Sequence, residues 1–350
     1  MWFDLCEPKA VKMLRSLYDS LAPDHNMLVT ARDFDSTIPL MDSWGVPYLK
    51  VGKHGGGTYA GKLRSYSDRL SQLVDFAEQE QPEFLFGLAC PEALRVSFGL
   101  QIPNIIFNDE PRSVGVIKLS LPFVNHLIVP EPIPTEWYTP FGISEDKVHK
   151  FHGIDEVAET VRFTPDPTVI EDANLMPGQY VVCRPEQTAA QYHMNRLGEG
   201  DSELMVLLDP LLAEYPDLTY LVVPRNSAQR ANLEHYYADS PDVVFRNYLD
   251  PIEQYLFHAK LVVTGGGSFV RQSALMNIPS VEFFPIPAYP QEQFLIENGF
   301  PLVHLLDPHD NPQAGVEMLE SHASSQGDIS RALELENPID IALKIFGTYS

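Results

Sequence analysis

Short apolar runs alternate along the chain with amphipathic stretches, the pattern of βα units built on a mostly parallel sheet. In the first half the spacing predicts strands at Trp2–Leu5, Met27–Thr30, Tyr48–Val51, Phe84–Leu88, Asn104–Phe107 and His126–Val129. Between them, Lys9–Leu21 carries Val11, Leu14, Leu17 and Leu21 on one face, and Lys62–Glu80 carries Leu63, Leu70, Leu73, Val74 and Ala77 at helical spacing. Pro91–Gly99 reads as a short helix with proline in its first turn. The texture changes across residues 150–178: Phe163-Thr164-Pro165-Asp166-Pro167 fits neither mid-helix nor mid-strand, and Asn174-Leu175-Met176-Pro177-Gly178 reads as a turn. The alternation then restarts, with strands at Tyr180–Arg184, Tyr220–Val223, Val243–Phe245, Leu261–Thr264 and Ser280–Phe283. Helices are expected at Pro251–Phe257, Phe269–Met276 and Gln291–Glu297, a polar loop at Ser321–Gly327, and a final helix at Ile329–Gly347 that returns to the first lobe. The expected fold class is α/β, two Rossmann-like lobes facing each other across a cleft. The N-terminal lobe would span 1–155, the C-terminal lobe 156–330, and the closing helix 331–350.

A chain of 350 residues, 44% of them hydrophobic, can bury two cores. Its 48 acids against 24 bases give a net charge of −24, which repels nucleic acid and anionic lipid, so neither is expected as a partner. An anionic substrate would need local donors against that field. Cys6, Cys90 and Cys183 share no CxxC spacing, and each sits within or beside an apolar run. Buried thiols in a reducing compartment follow. Asp4 and Glu7 interrupt any leader-like start, and no apolar run approaches a membrane span, so a cytoplasmic location is expected.

The sharpest chemical signal is Leu261-Val262-Val263-Thr264-Gly265-Gly266-Gly267-Ser268, a buried strand running into three glycines and then a helix. Glycines admit a ligand to the backbone, and a helix N-terminus offers unpaired N–H groups, so Gly265, Gly266, Gly267 and Ser268 are candidate phosphate or diphosphate ligands. The alternative is a tight turn that binds nothing. Arg184 and Glu186 end one strand and Arg225 another, at the edge where doubly wound sheets bind ligands. Two arginines there could clamp a phosphate, or Arg184 could simply pair with Glu186.

In the first lobe, Ile105-Ile106-Phe107-Asn108-Asp109-Glu110 ends a buried strand in polar groups. Asp109 or Glu110 could act as a base, while Asp109 could equally cap the next helix. His54-Gly55-Gly56-Gly57 reads as a loop over the cleft with His54 aimed inward, or as an ordinary surface histidine. Gly56 to Lys62 has P-loop spacing, but Leu63 stands where Ser or Thr should hold Mg²⁺. Asp33 and Asp35 form an incidental DxD, and His149 and His152 lack a third ligand, so no metal or cofactor is expected. The absence of GxSxG argues against esterase chemistry.

Trp2-Phe3-Asp4, Leu28-Val29-Thr30-Ala31-Arg32-Asp33, His54-Gly55-Gly56, Ile105-Ile106-Phe107-Asn108-Asp109, Arg184-Pro185-Glu186 and Thr264-Gly265-Gly266-Gly267-Ser268 follow one another in order. Together they resemble the largely archaeal family called domain of unknown function 354, over nearly the whole chain. The resemblance implies a GT-B-like fold. More distantly the chain is similar to the non-hydrolysing UDP-N-acetylglucosamine 2-epimerases and to the transferase that adds N-acetylglucosamine to the peptidoglycan lipid precursor. In both, a glycine turn matching Gly265–Ser268 holds the diphosphate and a glutamate one turn later binds the ribose. Gln272 occupies that glutamate's position, a departure that removes charge assistance. The paired acids that epimerases carry downstream of the matching strand are not found in Ser113–Pro122.

The leading functional expectation is a metal-independent glycosyltransferase using a nucleotide-activated sugar of the UDP type, with a glycan or lipid-linked molecule as acceptor. Gly265–Ser268, Gln272, Arg184, Glu186 and Arg225 would hold the donor. Asp109, Glu110 or His54 would act on the acceptor. The alternatives are a UDP-sugar 2-epimerase and a binding protein without catalysis.

Overall fold

The structure, a computed structural model, describes residues 1–188, 197–198 and 200–349. The chain forms two compact units, Met1–Glu159 with Glu336–Ser350, and Thr160–Leu335.

The first unit holds seven parallel strands: β1 (Trp2–Leu5), β2 (Leu28–Asp33), β3 (Leu49–Lys53), β4 (Leu85–Leu88), β5 (Asn104–Phe107), β6 (His126–Pro130) and β7 (Val148–Phe151). Their order in the sheet is β3-β2-β1-β4-β5-β6-β7. The central strands β1, β4 and β5 are buried at every position. Helices cover both faces of such a sheet, so these strands read as continuous apolar runs. Helix Pro8–Leu21 lays Val11, Leu14 and Leu17 on one face, and helix Tyr59–Glu80 lays Leu73, Phe76 and Ala77 on the other. The C-terminal helix Pro338–Phe346 seats Ile339, Ala342 and Phe346 in the cluster of Phe3, Phe84 and Phe86.

The second unit repeats the plan with β8 (Tyr180–Arg184), β9 (Thr219–Val222), β10 (Val243–Phe245), β11 (Leu261–Thr264), β12 (Ser280–Phe283) and β13 (Leu302–Leu305), all parallel. The order is β10-β9-β8-β11-β12-β13. In each sheet the strand order reverses beside the first strand, between β1 and β4 and between β8 and β11. Connections leave the sheet in opposite directions there, and doubly wound folds take ligands at the carboxyl ends of those strands.

Two strands go beyond the sequence expectation. Both β7, with His149 and Lys150, and β13, with His304, are sheet edges. An edge strand has one neighbour and accepts polar side chains that blur the apolar run. The segment expected as one helix over Ile329–Gly347 breaks into a single turn at Ala332–Glu334 and the helix Pro338–Phe346. Pro338 lacks an N–H and fixes the helix start, and the Asn337 side chain accepts a bond from Ile339 N at 3.0 Å. The unit boundary falls at Glu159–Thr160, a few residues beyond the expected one.

Candidate functional site

The glycine turn lies at the reversal point of the second sheet. Gly265 N donates to the Arg184 carbonyl at 2.9 Å, tying the end of β11 to the end of β8. A Cβ on Gly265 would stand 2.6 Å from the backbone nitrogen and Cα of Glu186, so only glycine fits between the two chains. Gly266 is the N-cap of helix Gly267–Leu275, and its backbone is extended (φ 165°). A Cβ there would stand 2.9 Å from Arg225 Nη2, so that guanidinium lies directly against the turn. Arg225 is steadied by Nε donating to the Pro185 carbonyl at 3.0 Å and by its own N–H donating to Gln229 Oε1 at 2.9 Å. The Arg184 guanidinium stacks 4.2 Å from the ring centre of Phe269, in the first turn of the same helix. The structure thus places the Arg225 guanidinium against Gly266 and the Arg184 guanidinium over Phe269 in the first turn of the helix, two cations beside the start of that helix, with the Gly265 N–H already committed to the Arg184 carbonyl.

The other candidates in this unit have particular places. Ser268 is the exposed second residue of the helix rather than its cap, because the helix starts earlier than its apolar pattern suggests. Gln272 is buried one turn further on. Glu186 is fully buried, and its carboxylate accepts from Ser202 Oγ at 2.8 Å and from Glu203 N at 2.6 Å rather than from either arginine. Burial raises its carboxyl above the ordinary range against those bonds. Glu186 therefore braces the approach to helix Leu204–Glu214. Gly267 is bounded by a different carboxylate, that of the fully buried Glu292, which pairs with Arg271 at 3.2 Å.

In the first unit the end of β5 carries the predicted acids. Asp109 pairs with Lys9 Nζ at 2.5 Å, and Lys9 also meets Asp155 at 2.8 Å. Asp109 does not cap the following helix, whose N-cap is Ser113. Glu110 accepts from Arg112 N at 3.1 Å, a local turn contact. Asp155 is buried (1% exposed), and burial raises its carboxyl to about 7 against the opposing pull of Lys9. Tyr138, also buried, donates from its hydroxyl to the Asn108 carbonyl at 2.9 Å beside this group.

His54 sits apart from the acids, exposed after β3, with Nδ1 accepting from Gly56 N at 3.2 Å and its ring 4.8 Å from that of Phe34. Partial burial, then Arg32 and Lys62, lower its pKa, so the imidazole is neutral near pH 7. Gly56–Lys62 is not a P-loop: the helix begins at Tyr59 behind a Thr58 cap, three residues before Lys62. Asp33 of the DxD pairs with Lys50 at 2.5 Å. His149 meets His126 at 2.9 Å while His152 pairs with Glu131, so the two histidines do not converge.

A family model described as a protein of unknown function (DUF354) matches residues 1–348. The chain belongs to that family. A relative from Methanocaldococcus jannaschii, itself uncharacterised, is 23% identical over 348 residues, 97% of this chain and 96% of its own length. Among solved structures, the UDP-N-acetylglucosamine 2-epimerase of Rickettsia bellii superposes with a TM-score of 0.73 at 13% identity, covering 99% of this chain and 96% of its own. The epimerase of M. jannaschii, solved with UDP-GlcNAc and UDP, gives 0.72 at 12% identity over 100% and 99%. At such identities the likeness establishes the GT-B-like fold. Among the described residues no helix is long and apolar enough to cross a membrane.

Several polar groups escaped the sequence reading. Lys9 looks like an ordinary helix-start lysine, and Asp155 fell at an expected domain edge. Arg69, in the middle of helix Tyr59–Glu80, is fully buried beneath the reversal point of the first sheet. Its Nη2 pairs with Asp4 Oδ1 at 2.6 Å, Nε donates to the Val51 carbonyl at 3.1 Å, and Nη1 reaches Cys90 Sγ at 3.1 Å. Thr30 donates to the same Asp4 oxygen at 2.6 Å and accepts from Trp2 Nε1 at 2.8 Å. The one available signal was an arginine on the face that also carries Leu73 and Phe76.

Proposed function

We propose that this protein is a metal-independent glycosyltransferase that takes a nucleotide-activated sugar. The observation that carries the proposal is the juxtaposition of Arg184, Arg225 and the Gly265–Gly267 turn at the reversal point of the second sheet. A diphosphate leaving group develops charge as the glycosidic bond breaks. Fixed cations and oriented N–H groups stabilise it without reorganising, the usual source of the largest catalytic contribution. Gln272, buried one turn into the helix, would bond a ribose hydroxyl. Solved relatives of this fold that hold UDP-GlcNAc and UDP support a uridine nucleotide. In the first unit Asp109 would take the proton of an acceptor hydroxyl. Three buried free thiols suit a cytoplasmic location.

A 2-epimerase is the second reading, favoured by one observation: two acids, Asp109 and Asp155, share Lys9, and epimerisation needs both a base and an acid. A thermal-shift screen against UDP, GDP, CDP, dTDP, their sugar conjugates and ATP tests the donor site, because a ligand of the folded state raises the midpoint by mass action. A shift with one nucleotide family supports the donor assignment, and no shift with any of them removes it. Solvent deuterium entering a sugar C–H without an acceptor would select the epimerase.

A further inference from the structure

The group around Lys9 contains more acid than its cation can neutralise. Lys9 Nζ, in the first turn of helix Pro8–Leu21, touches Asp109 beyond β5 and Asp155 beyond β7. Glu7 on its own element, Glu156 beside Asp155 and Glu110 beside Asp109 add further negative charge, with Arg32 as the other nearby cation and the Tyr138 hydroxyl alongside. Asp155 stands out within the group. Apart from the Lys9 ammonium at 2.8 Å, neither of its buried carboxylate oxygens has a hydrogen-bond partner among the described residues. Asn108 Oδ1, buried nearby, also lacks a donor. A buried carboxylate in such surroundings is costly unless it is paired or carries a proton.

We infer that Asp155 is a positioning residue that carries the proton complementary to Asp109, with Lys9 as the cation that the two acids exchange. The inference rests on Asp109 being the acceptor-side base. In the resting state Lys9 is committed to ionised Asp109, and Asp155 holds a proton. When an acceptor O–H breaks and its proton forms an O–H bond on Asp109, Lys9 loses that partner's charge. It then stabilises Asp155, whose O–H bond breaks and whose proton passes to water. One proton enters and one leaves, so the buried group keeps its charge through the step. The location of Asp155 on the loop after β7 and of Lys9 on the helix after β1 makes this exchange possible at the carboxyl ends of the first sheet's strands.

Infrared difference spectroscopy of the full chain between pH 5 and 9 reads the proton directly and needs no substrate, so its result is separable from that of the nucleotide screen. The wild type is expected to show a protonated-carboxyl band that disappears near pH 7. The band should be lost in Asp155→Asn. It should persist to higher pH in Lys9→Met, where the stabilising cation is gone, and vanish at lower pH in Asp109→Asn, where Lys9 is left to Asp155 alone. These last two variants carry the test if Asp155→Asn does not fold. A wild type without such a band, an unchanged band in Asp155→Asn, or an unmoved midpoint in both other variants overturns the inference.

Discussion

The guanidinium of Arg225 lies against Gly266, with Nη2 2.9 Å from the position a Cβ would take. The neighbouring Gly265 is bounded instead by the backbone of Glu186 at 2.6 Å. Adjacent glycines thus meet different obstacles, one the end of a flexible side chain and one a rigid main chain. Gly266→Asp should therefore fold with little loss of stability, because Arg225 can shift and the extended backbone suits any residue, yet lose nucleotide affinity by placing a carboxylate on the Arg225 side of the turn. Gly265→Ala should destabilise the second unit by about 1–3 kcal/mol or more, the cost of overpacking. Urea denaturation beside nucleotide titration separates the two. Unchanged affinity in Gly266→Asp would remove the turn from the donor site.

Arg69 and Asp4 form a buried pair at 2.6 Å, with exposures of 0% and 1%. Replacing Arg69 by Met leaves the Asp4 carboxylate buried without its cation, and a loss of about 3–5 kcal/mol is expected. Asp4→Asn with Arg69→Met should recover part of that loss. Equal stabilities for the wild type and the Arg69→Met single variant in urea would show that the pair contributes nothing.

His304 places Nδ1 2.7 Å from Glu282 Oε2 and Nε2 3.0 Å from the Ile286 carbonyl, so both ring nitrogens face acceptors and both are served only by the imidazolium. Burial pulls the pKa down, but the contact with Glu282, with the Ile286 carbonyl, outweighs it and the net direction is up. A histidine whose folded pKa exceeds its unfolded one contributes stability that is complete below about pH 6.5 and lost as pH rises through the folded value. His304→Gln should flatten that decline. A wild type and variant with parallel stability curves from pH 6 to 9 would contradict it.

His126 and His149 behave in the opposite sense. Their rings meet at 2.9 Å, His126 Nε2 meets the Tyr349 hydroxyl at 2.8 Å, and burial is the leading cause lowering both pKa values. Stability from this pair is present above about pH 6.5 and is lost as pH falls through the lower folded values, when both rings must charge. Acidification should loosen the C-terminal residues first. Amide exchange near Tyr349 should accelerate on acidification from pH 7 to 5.5 beyond its intrinsic pH dependence, and His149→Phe should suppress that excess.

What the chain announced on its own was local. Apolar periodicity and Gly/Pro punctuation are set by backbone geometry within a few residues, so eleven of the strands, the glycine turn and its helix were readable, as were Arg184 and Arg225 at strand ends. The fold supplied what depends on strand order. Only a parallel sheet in which the carboxyl ends of β1, β5 and β7 point the same way brings Lys9 to Asp109 and Asp155, and only burial of helix Tyr59–Glu80 makes Arg69 the partner of Asp4. Edge strands β7 and β13 were hidden because their polar residues are tolerated at a sheet margin. Glu186 looked like a ligand until packing committed its carboxylate to Ser202 and Glu203. Periodicity reports which side of an element is buried. It carries no record of which distant loop will lie opposite, and the charges in both reversal points are governed by that non-local choice.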